Sequence, residues 1–375
     1  MASSNFITID DTTPKAFDRR KDIFNFGLDN DYPTNIKKLI NSSVTAKACA
    51  NLVSSFLYGK GFDNNGFYLN RNGDTPNKLL RKTTVEASYY NGFAIHVGYN
   101  ALGEKTTFKL IPFEWCRKSK EDVNGHISKI KVSKDWSDRK SIPTSYDLYN
   151  PNQALNQINR DTIESYKGQV LYVSFSYQDI YPKSWIDPVI DDCISEWKSS
   201  VYKKNLITKG FMKNSIVVTK EFDNDKSKAN FQAGMKSQLG ADGVGGINHY
   251  EADLDSDDLS KEVFIQEVGT DLNDQLFAYT DKNVSDKICI AYGIAPSLIK
   301  NDDNSLFSGS GEAIEQMMLN VQFRVDNIKR DIEDTFSDLF TGTVNSELNS
   351  AEFIINPLVI KTEEIKKEEN GTIDN

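Results

Sequence analysis

The sequence predicts an α+β fold in which strand-rich and helix-rich stretches occupy different parts of the chain. Between residues 93 and 177 lie four β-branched and aromatic runs bounded by Asn, Gly and Pro, a pattern typical of strands. Three long segments with apolar residues at three- and four-residue steps follow, at about 187–210, 271–292 and 312–340, and indicate helices. A small module of mixed α and β character lies between the first two helices.

Composition limits the classes of function. The 375 residues allow two or three domains with a sizeable core. The formal net charge of -10 argues against a general basic nucleic-acid binder, because neutralising phosphates needs clustered Lys and Arg, although it allows contact with DNA that stays mobile. The first residues, MASSNFITIDDTTPK, show no apolar signal-peptide core, and no uncharged run approaches membrane-spanning length, so we expect no membrane partner.

Residues 1–30 are polar and broken, which predicts an irregular arm. From Pro33 the pattern becomes helical, and Gly59 and Gly61 are natural stops for it. The predicted apolar positions of this helical segment are Ile36, Leu39, Ile40, Val44, Ala48, Leu52, Val53, Phe56 and Leu57.

The next region, 62–180, predicts mixed α and β structure. A helix is expected over Asn77–Tyr90, and residues 134–165, rich in Asn, Ser and Pro, predict a loop or insertion. The expected strands are 93–100, 106–113, 126–133 and 169–177.

A long helix is predicted over 187–210. Asp187 is a suitable N-cap, Pro188 suits the first turn and Gly210 can end the helix. Its acidic residues come first and its lysines last, which complements the helix dipole.

The module that follows predicts strands at 214–222, 246–252 and 261–268 and a helix over 223–240. The sequence GIAP should end the helix at 271–292. The last helix, from about Glu312 to Phe340, is followed by one strand-like run, EFIINPLVI, and a charged tail. The apolar stripe of this last helix comprises Ile314, Met317, Met318, Val321, Val325, Ile328, Ile332, Phe336 and Leu339.

The Ser-Gly repeat at 308–311 raises the question of a phosphate-binding loop. A Walker A loop needs a Lys and a Ser or Thr after its glycines, but here Glu312 places a carboxylate where the anion would lie. The pattern favours a helix cap at Ser310 and a mobile connection between two helices.

The acidic stretch 251–264 partly matches a calcium-binding loop. Asp253, Asp255 and Asp257 occupy suitable places, but Asp258 stands at the turn glycine and Phe264 at the bidentate Glu. A solvated acidic loop is favoured, and a metal-dependent nucleic-acid-processing enzyme using the 251–258 carboxylates remains the alternative function.

Other catalytic and metal-binding signatures are missing. His96, His126 and His249 are isolated in strand-like runs, where a histidine is usually a satisfied sheet residue. No pair among Cys49, Cys116, Cys193 and Cys289 has the spacing of a zinc site or a disulfide framework. We therefore expect no enzymatic activity, no catalytic residue, no metal and no cofactor.

The order of these elements resembles the portal proteins of tailed bacteriophages, the head-to-tail connectors, in their HK97-like branch. WIDPVIDD with its long helix and TKGFMKNSIVV, the segment DLNDQLFAYTDKNVSDKICIAYGIAPSLI, and SGSGEAIEQMMLNVQFRVDNIKRDIEDTF carry the resemblance. It covers about 187–340 well and the N-terminal part more loosely. The chain has Ala295-Pro296 where the family usually has two prolines.

The resemblance implies a portal-type fold whose parts can be assigned along the chain. The long helices would form a stem on either side of a small clip, and a tunnel loop would face DNA through Asn301, Asp302, Asp303, Asn304, Ser305, Leu306 and Phe307. The implied segments are an N-terminal arm at 1–30, the wing at 31–186, stem helices at 187–210 and 271–299, the clip at 211–270, the tunnel loop at 300–309, a long wing helix at 310–341, and a short crown with the charged tail at 342–375.

The resemblance also implies function and partners. Portal proteins are homo-oligomeric rings, usually of twelve subunits, at one capsid vertex of the virion, assembled in the bacterial host cytoplasm. The implied partners are double-stranded DNA, bound non-specifically and sliding, the terminase large subunit, the major capsid protein and the head-tail adaptor. From Glu251 to Asp286 there are eleven Asp and Glu against two Lys, which suits a channel wall that repels a sliding duplex. A virion adaptor or scaffold without a pore is the third possibility.

Overall fold

The computed structural model contains helices and strands in two compact units. One unit comprises Met1–Ile194 with Ser285–Asn375, and the other Ser195–Val284. The predicted α+β fold class is confirmed. The structure describes residues 17–18, 21–138, 140–176, 180–208, 214–220, 224–226, 228–230, 233, 247–252, 263–268, 274–300 and 311–359.

The first unit begins with a small hairpin and two helices. The strands are β1, Phe17–Asp18, and β2, Ile23–Phe24, and the helices are α1, Tyr32–Ser42, and α2, Val44–Tyr58. The chain bends at Ser43, whose φ and ψ of -90° and 120° are extended and whose hydroxyl accepts a hydrogen bond from the amide of Ala46. The bend shifts the phase of the buried stripe.

A six-stranded sheet forms the centre of this unit. Its strand order is β4-β3-β8-β7-β6-β5, and every neighbouring pair is antiparallel except β7 and β8. The helix α3, Pro76–Tyr90, precedes the sheet and confirms the predicted helix over Asn77–Tyr90. The strands are β3, Gly92–Tyr99; β4, Lys105–Ile111; β5, Cys116–Lys118; β6, Lys129–Val132; β7, Thr144–Leu148; and β8, Gln169–Ser174.

The prediction of a loop over 134–165 was wrong. This stretch contains β7 and a short helix, α4, Ala154–Asp161. The residues of β7 are half-buried and lack an apolar alternation, so their pairing with β6 and β8 across the sheet decides their conformation. The helix buries Ala154 and Ile158, one turn apart.

The predicted helix at 187–210 is present as a 3₁₀ turn, Asp187–Val189, followed by α5, Ile190–Thr208. Asp187 is not the N-cap. It lies inside the turn, and its carboxylate accepts a hydrogen bond of 2.7 Å from the hydroxyl of Tyr32. The predicted stop at Gly210 lies outside the described residues.

The second unit contains a three-stranded sheet with β9 in the centre. The strand β9, Asn214–Lys220, pairs in parallel with β10, Ile247–Ala252, and antiparallel with β11, Val263–Val268. All three strands lie where the sequence predicts them. Of the predicted helix at 223–240, the described residues 225–226, 228–230 and 233 are helical.

The remaining helices are α6, Asp274–Tyr292; α7, Pro296–Ile299; α8, Gly311–Phe340; and α9, Ser346–Asn349. Helices α6 and α8 confirm the predicted ones. The described part of the run EFIINPLVI, residues 352–359, forms no strand, so the strand expected there was wrong. Backbone hydrogen bonds join this segment to the turn after α2: the amide of Lys60 donates to the carbonyl of Asn356 at 2.9 Å, and the amide of Asn356 donates to that of Gly61 at 3.1 Å.

Candidate functional site

The predicted DNA-facing residues lie outside the part of the chain that the structure describes. They are Asn301, Asp302, Asp303, Asn304, Ser305, Leu306 and Phe307. The site is therefore defined by the two described ends that bracket it, Lys300 at the end of α7 and Gly311 at the start of α8.

The turn that leads to the site is built around Gly293. Its φ of +69° lies in the left-handed region, which favours glycine. The amide of Gly293 donates to the carbonyl of Ile290, and that of Ile294 donates to the carbonyl of Cys289, both at 2.9 Å. The guanidinium of Arg324 occupies the space that a side chain at position 293 would need. The glycine in GIAP is thus required by conformation and by packing.

The short helix α7 is fixed on both sides. The hydroxyl of Ser297 lies 3.0 Å from the sulfur of Met317 in α8, and the ammonium of Lys300 donates to the hydroxyl of Ser285 in α6. Just before it, Trp185 stacks on Tyr292 with ring centroids 6.1 Å apart. Lys300, the last described residue before the polar connection, is therefore anchored.

Helix α8, which receives the chain after the connection, has 30 residues and is about 45 Å long at 1.5 Å per residue. Most of its predicted stripe is buried or half-buried, but Ile314 in the first turn is 41% exposed. Phe323 is 67% exposed on the outer face. The buried residues are Leu319, Val321, Val325, Ile332, Phe336, Leu339 and Phe340.

Polar contacts join the long helices within each unit. In the second unit, Asp281 of α6 pairs with the ammonium of Lys203 and accepts from the hydroxyl of Ser199, both in α5. In the first unit, the ammonium of Lys287 in α6 forms an ion pair with the carboxylate of Asp192 in α5, with Nζ and Oδ1 3.2 Å apart. Residues 200–204 of α5 are all exposed, including Val201 and Tyr202, so this stretch buries little apolar surface within the chain.

Two ionisable side chains are held inside the first unit: Arg117 of β5 is fully buried and Glu86 of α3 is half-buried. The fully buried guanidinium of Arg117 donates to the carbonyls of Asn30 at 2.6 Å and Glu114 at 2.9 Å. Desolvation raises the pKa of Glu86 from 4.5 to about 7, although a hydrogen bond from the amide of Phe113 opposes the rise. Both groups are engaged in holding the core together.

Two histidine predictions can be compared with the structure. The Nε2 atom of His96 lies 2.6 Å from the carbonyl of Lys167, and burial lowers the pKa of this ring, so His96 is the satisfied sheet residue that the sequence predicts. His126 was predicted in a strand, but it lies exposed in a turn where its amide donates to Asp122. The side chain of His249 is not among those described.

An open groove of about 970 Å³ lies beside the β1–β2 hairpin. Two of its lysines are engaged with backbone carbonyls: Lys21 donates to those of Trp136 and Asp138, and Lys131 to that of Lys21. These two ammonium groups therefore serve to join the hairpin to the sheet.

No group of three or more His, Cys, Asp or Glu side chains suited to a metal ion occurs in the described ranges. The acidic residues 253–258 of the possible calcium loop lie outside those ranges. None of the helices described is both long enough and apolar enough to cross a membrane.

No family model matches the chain, and no curated protein matches it either. Solved structures do. A chain in the neck of a native gene transfer agent particle, computed with C12 symmetry, is similar with a TM-score of 0.53 and 10% identity over 91% of this chain and 88% of that one. A chain in the virion of a native gene transfer agent particle gives 0.52 and 10% over 90% and 88%.

These two likenesses show a shared fold, and they confirm at that level the resemblance stated from the sequence. An HK97 family phage portal protein from Corynebacterium diphtheriae also matches, with 9% identity over 88% of this chain and 96% of that one. Its TM-score is 0.40, too low to support an argument.

Proposed function

We propose that the chain is a phage portal protein, a subunit of an oligomeric ring at one capsid vertex. The observation that carries this is the fold shared along nine tenths of the chain with a component of a particle neck computed with C12 symmetry. Two long helices on either side of a small three-stranded module, followed by a third long helix, support the same assignment.

The ring would be a homo-oligomer, with twelve subunits as the expected number. Exposed apolar surface supports assembly: Phe323 on α8 is 67% exposed in a single subunit, and Val201 and Tyr202 on α5 are about two fifths exposed. Burial of such residues against a second copy would recover the hydrophobic free energy that the isolated chain does not.

The channel of the ring would conduct double-stranded DNA into the capsid during packaging and out of it during ejection. The acidic surplus between Glu251 and Asp286 would lower the affinity of the wall for phosphates and keep the duplex sliding. The segment 300–309, anchored at Lys300 and resumed by α8, is proposed as the tunnel loop that contacts DNA without reading its sequence.

The module at 211–270 is proposed as the clip that docks the terminase large subunit during packaging and the head-tail adaptor afterwards. Its place in the chain, between the two stem helices, supports this role. The wing at 31–186 with the long helix at 310–341 would contact the major capsid protein, and the last segment, 342–375, would form a short crown.

Electron microscopy of the purified full chain tests the proposal. We expect rings with a through-pore. Particles without a pore would contradict the proposal and favour a virion adaptor or scaffold. The same preparation, incubated with DNA and Mg²⁺, should leave the DNA uncut; cleavage lost in Asp255→Ala would favour the metal-dependent enzyme.

A further inference from the structure

Two cysteines that are far apart in sequence meet in the core of the first unit. The sulfur of Cys49, in α2, lies 3.8 Å from that of Cys289, in the last turn of α6, and both residues are fully buried. They are 240 residues apart in the chain, so spacing along the sequence gave no sign of the pair. Neither is in a disulfide.

The two sulfurs are in van der Waals contact, with no other atom between them. A disulfide has an S–S distance of about 2.05 Å, so the sulfurs would have to approach by about 1.8 Å. Both cysteines lie on helices of the same compact unit, which holds them as neighbours.

We propose that Cys49 and Cys289 form a redox-sensitive pair that a peroxide converts into an intrachain disulfide joining α2 to the end of α6. The thiolate of one cysteine attacks the peroxide, an S–O bond forms, the O–O bond breaks and water leaves. The second thiolate then attacks the sulfenic sulfur, the S–S bond forms as the S–O bond breaks, and the departing hydroxide takes up the proton that the thiol released and becomes the second water. Two thiols lose two electrons and two protons, and one hydrogen peroxide becomes two waters.

The position of Cys289 gives the bond a structural consequence. Its carbonyl accepts the hydrogen bond from Ile294 that closes the C-terminal turn of α6 before α7. A covalent link at this residue would fix that turn to α2, and with it the anchored end from which the segment 301–310 begins. The proposal itself does not depend on the proposed function.

The other two cysteines provide internal controls. Cys116 is as buried as the pair, but its sulfur lies 3.8 Å from the carbonyl of Pro112, an oxygen with which no disulfide can form. Burial raises the pKa of Tyr292, and the nearby thiols of Cys49 and Cys193 raise it further. Cys193 therefore lies in the same neighbourhood and is the residue that could compete for a disulfide with Cys49 or Cys289.

The full chain should be treated with hydrogen peroxide, quenched, alkylated in denaturant and digested. We expect a peptide pair joining Cys49 to Cys289, a loss of the mass of two hydrogen atoms, and alkylation of Cys116 and Cys193 as in the untreated protein. Because both thiols are buried, the reaction should be slow and should follow local opening of the helix end. The oxidised protein should melt about 5 °C higher than the reduced one.

Cysteine-to-alanine variants test which two residues form the link. C49A and C289A should each abolish the link, whereas C116A and C193A should form it as the wild type does. The wild-type digest decides the matter even if a variant fails to fold. A link from Cys193 to either residue, links only between different molecules, or four alkylated thiols after peroxide treatment would each overturn the pair.

Discussion

Single residues in the core of the first unit show how ionisable groups are accommodated away from water. Among the described residues, no carboxylate forms a hydrogen bond with Arg117; its guanidinium donates to carbonyls and lies 5.2 Å from the ring of Trp136 and 5.6 Å from that of Phe26. Carbonyl dipoles and aromatic faces thus replace its hydration. Nothing in the local sequence predicts this, because Asn30 and Phe26 reach Arg117 only through the tertiary fold.

The first prediction concerns the pH dependence contributed by Glu86. Its pKa is raised in the folded protein from 4.5 to about 7, so the folded state binds more protons than the unfolded state between these values. The free energy of unfolding should therefore fall as pH rises through this window. Since part of the side chain stays exposed, we expect a loss of about 2 kcal/mol between about pH 5 and about pH 8.

Urea unfolding at the two pH values measures this loss. Glu86→Gln should remove it and make the protein more stable than the wild type at the higher pH. Glu121→Gln, which removes a carboxylate from an exposed position, is the matched control and should keep the wild-type dependence. If the free energy of unfolding of the Glu86 variant depends on pH as that of the wild type does, Glu86 is not the source of the dependence.

The second prediction concerns Gly59, which ends α2. Its φ and ψ of 55° and -129° are open almost only to glycine, and a Cβ there would lie 2.0 Å from the backbone oxygen of Asn356. Gly59→Ala should lower the free energy of unfolding by about 3 kcal/mol, through backbone strain and loss of the Lys60–Asn356 hydrogen bond.

Gly66→Ala is the control, because nothing lies within 4 Å of the site of its Cβ and its φ is not in the left-handed region. It should change stability by less than about 0.5 kcal/mol. Equal effects of the two substitutions in chemical denaturation would contradict the structural reason.

Residue-level expectations from the sequence succeeded where local rules decide the conformation. Gly59 and Gly293 do end helices, whereas Gly61 lies beyond the turn that follows α2; all three have a positive φ. Val44 shows the limit: it was predicted in the apolar stripe but is 75% exposed, because the break at Ser43 starts a new helix phase. Serine is a favoured N-cap residue, so Ser42 and Ser43 indicated that a second helix could begin here. The prediction missed this because it treated the segment as one helix with a continuous apolar period.

At the scale of elements, the C-terminal segment stabilises the first unit although it forms no strand. The ring of Phe353 lies 4.6 Å from that of Phe340 and 5.2 Å from that of Phe62, measured between centroids. It thereby joins the segment after α9 to α8 and to the chain that follows α2. The neighbouring Ile354 points outward and is 61% exposed.

The third prediction uses this pair of neighbours. Phe353→Ala should lower the free energy of unfolding by about 4 kcal/mol, since it empties a fully packed aromatic site. Ile354→Ala should change it by less than about 0.5 kcal/mol. Thermal and urea unfolding of both variants provide the measurement, and a small loss for Phe353 would show that the segment does not pack as described.

Element prediction depended on how local each element is. The helices α3, α6 and α8 were predicted because their apolar periodicity extends over four turns or more. The strand β7 was missed because its stability comes from hydrogen bonds to β6 and β8, which are remote in sequence. The run EFIINPLVI failed in the opposite way, since Phe353 packs on aromatic rings while the described residues 352–359 form no strand.

On the scale of the whole molecule, the fourth prediction tests self-assembly through Phe323. The residue is exposed in the single chain, so Phe323→Asp should change the stability of the subunit by less than about 0.5 kcal/mol. If the ring buries this side chain, the charge should raise the concentration for half-assembly by about tenfold. Mass photometry or light scattering measures the oligomer.

Asn327→Asp is the control, because it adds the same charge one turn later on the same exposed face of α8. Its concentration for half-assembly should lie closer to that of the wild type than to that of Phe323→Asp. Assembly of the Phe323 variant at wild-type concentrations would exclude this residue from the subunit interface, and a wild type that stays monomeric at micromolar concentration would contradict the ring.

The last prediction concerns the segment that the sequence analysis assigned to the channel. The structure anchors its start at Lys300 and resumes at Gly311, while the assignment of Asp302 and Asp303 to the pore remains a proposal that only function can test. In a ring, Asp302→Lys with Asp303→Lys would create closely spaced positive charges at each position, once per subunit. Phosphates would bind them, so packaging should slow or stall, and more strongly at low salt, where fewer cations compete.

Asp302→Asn with Asp303→Asn removes the negative charge without adding a positive one and should package nearly as the wild type does. The measurement is packaged DNA per head at two salt concentrations. Wild-type yield from the lysine variant at both would reject the tunnel-loop assignment and leave 300–309 as a surface connection, whereas equal losses in both variants would show that the carboxylates themselves are needed and that their role is not repulsion of the duplex.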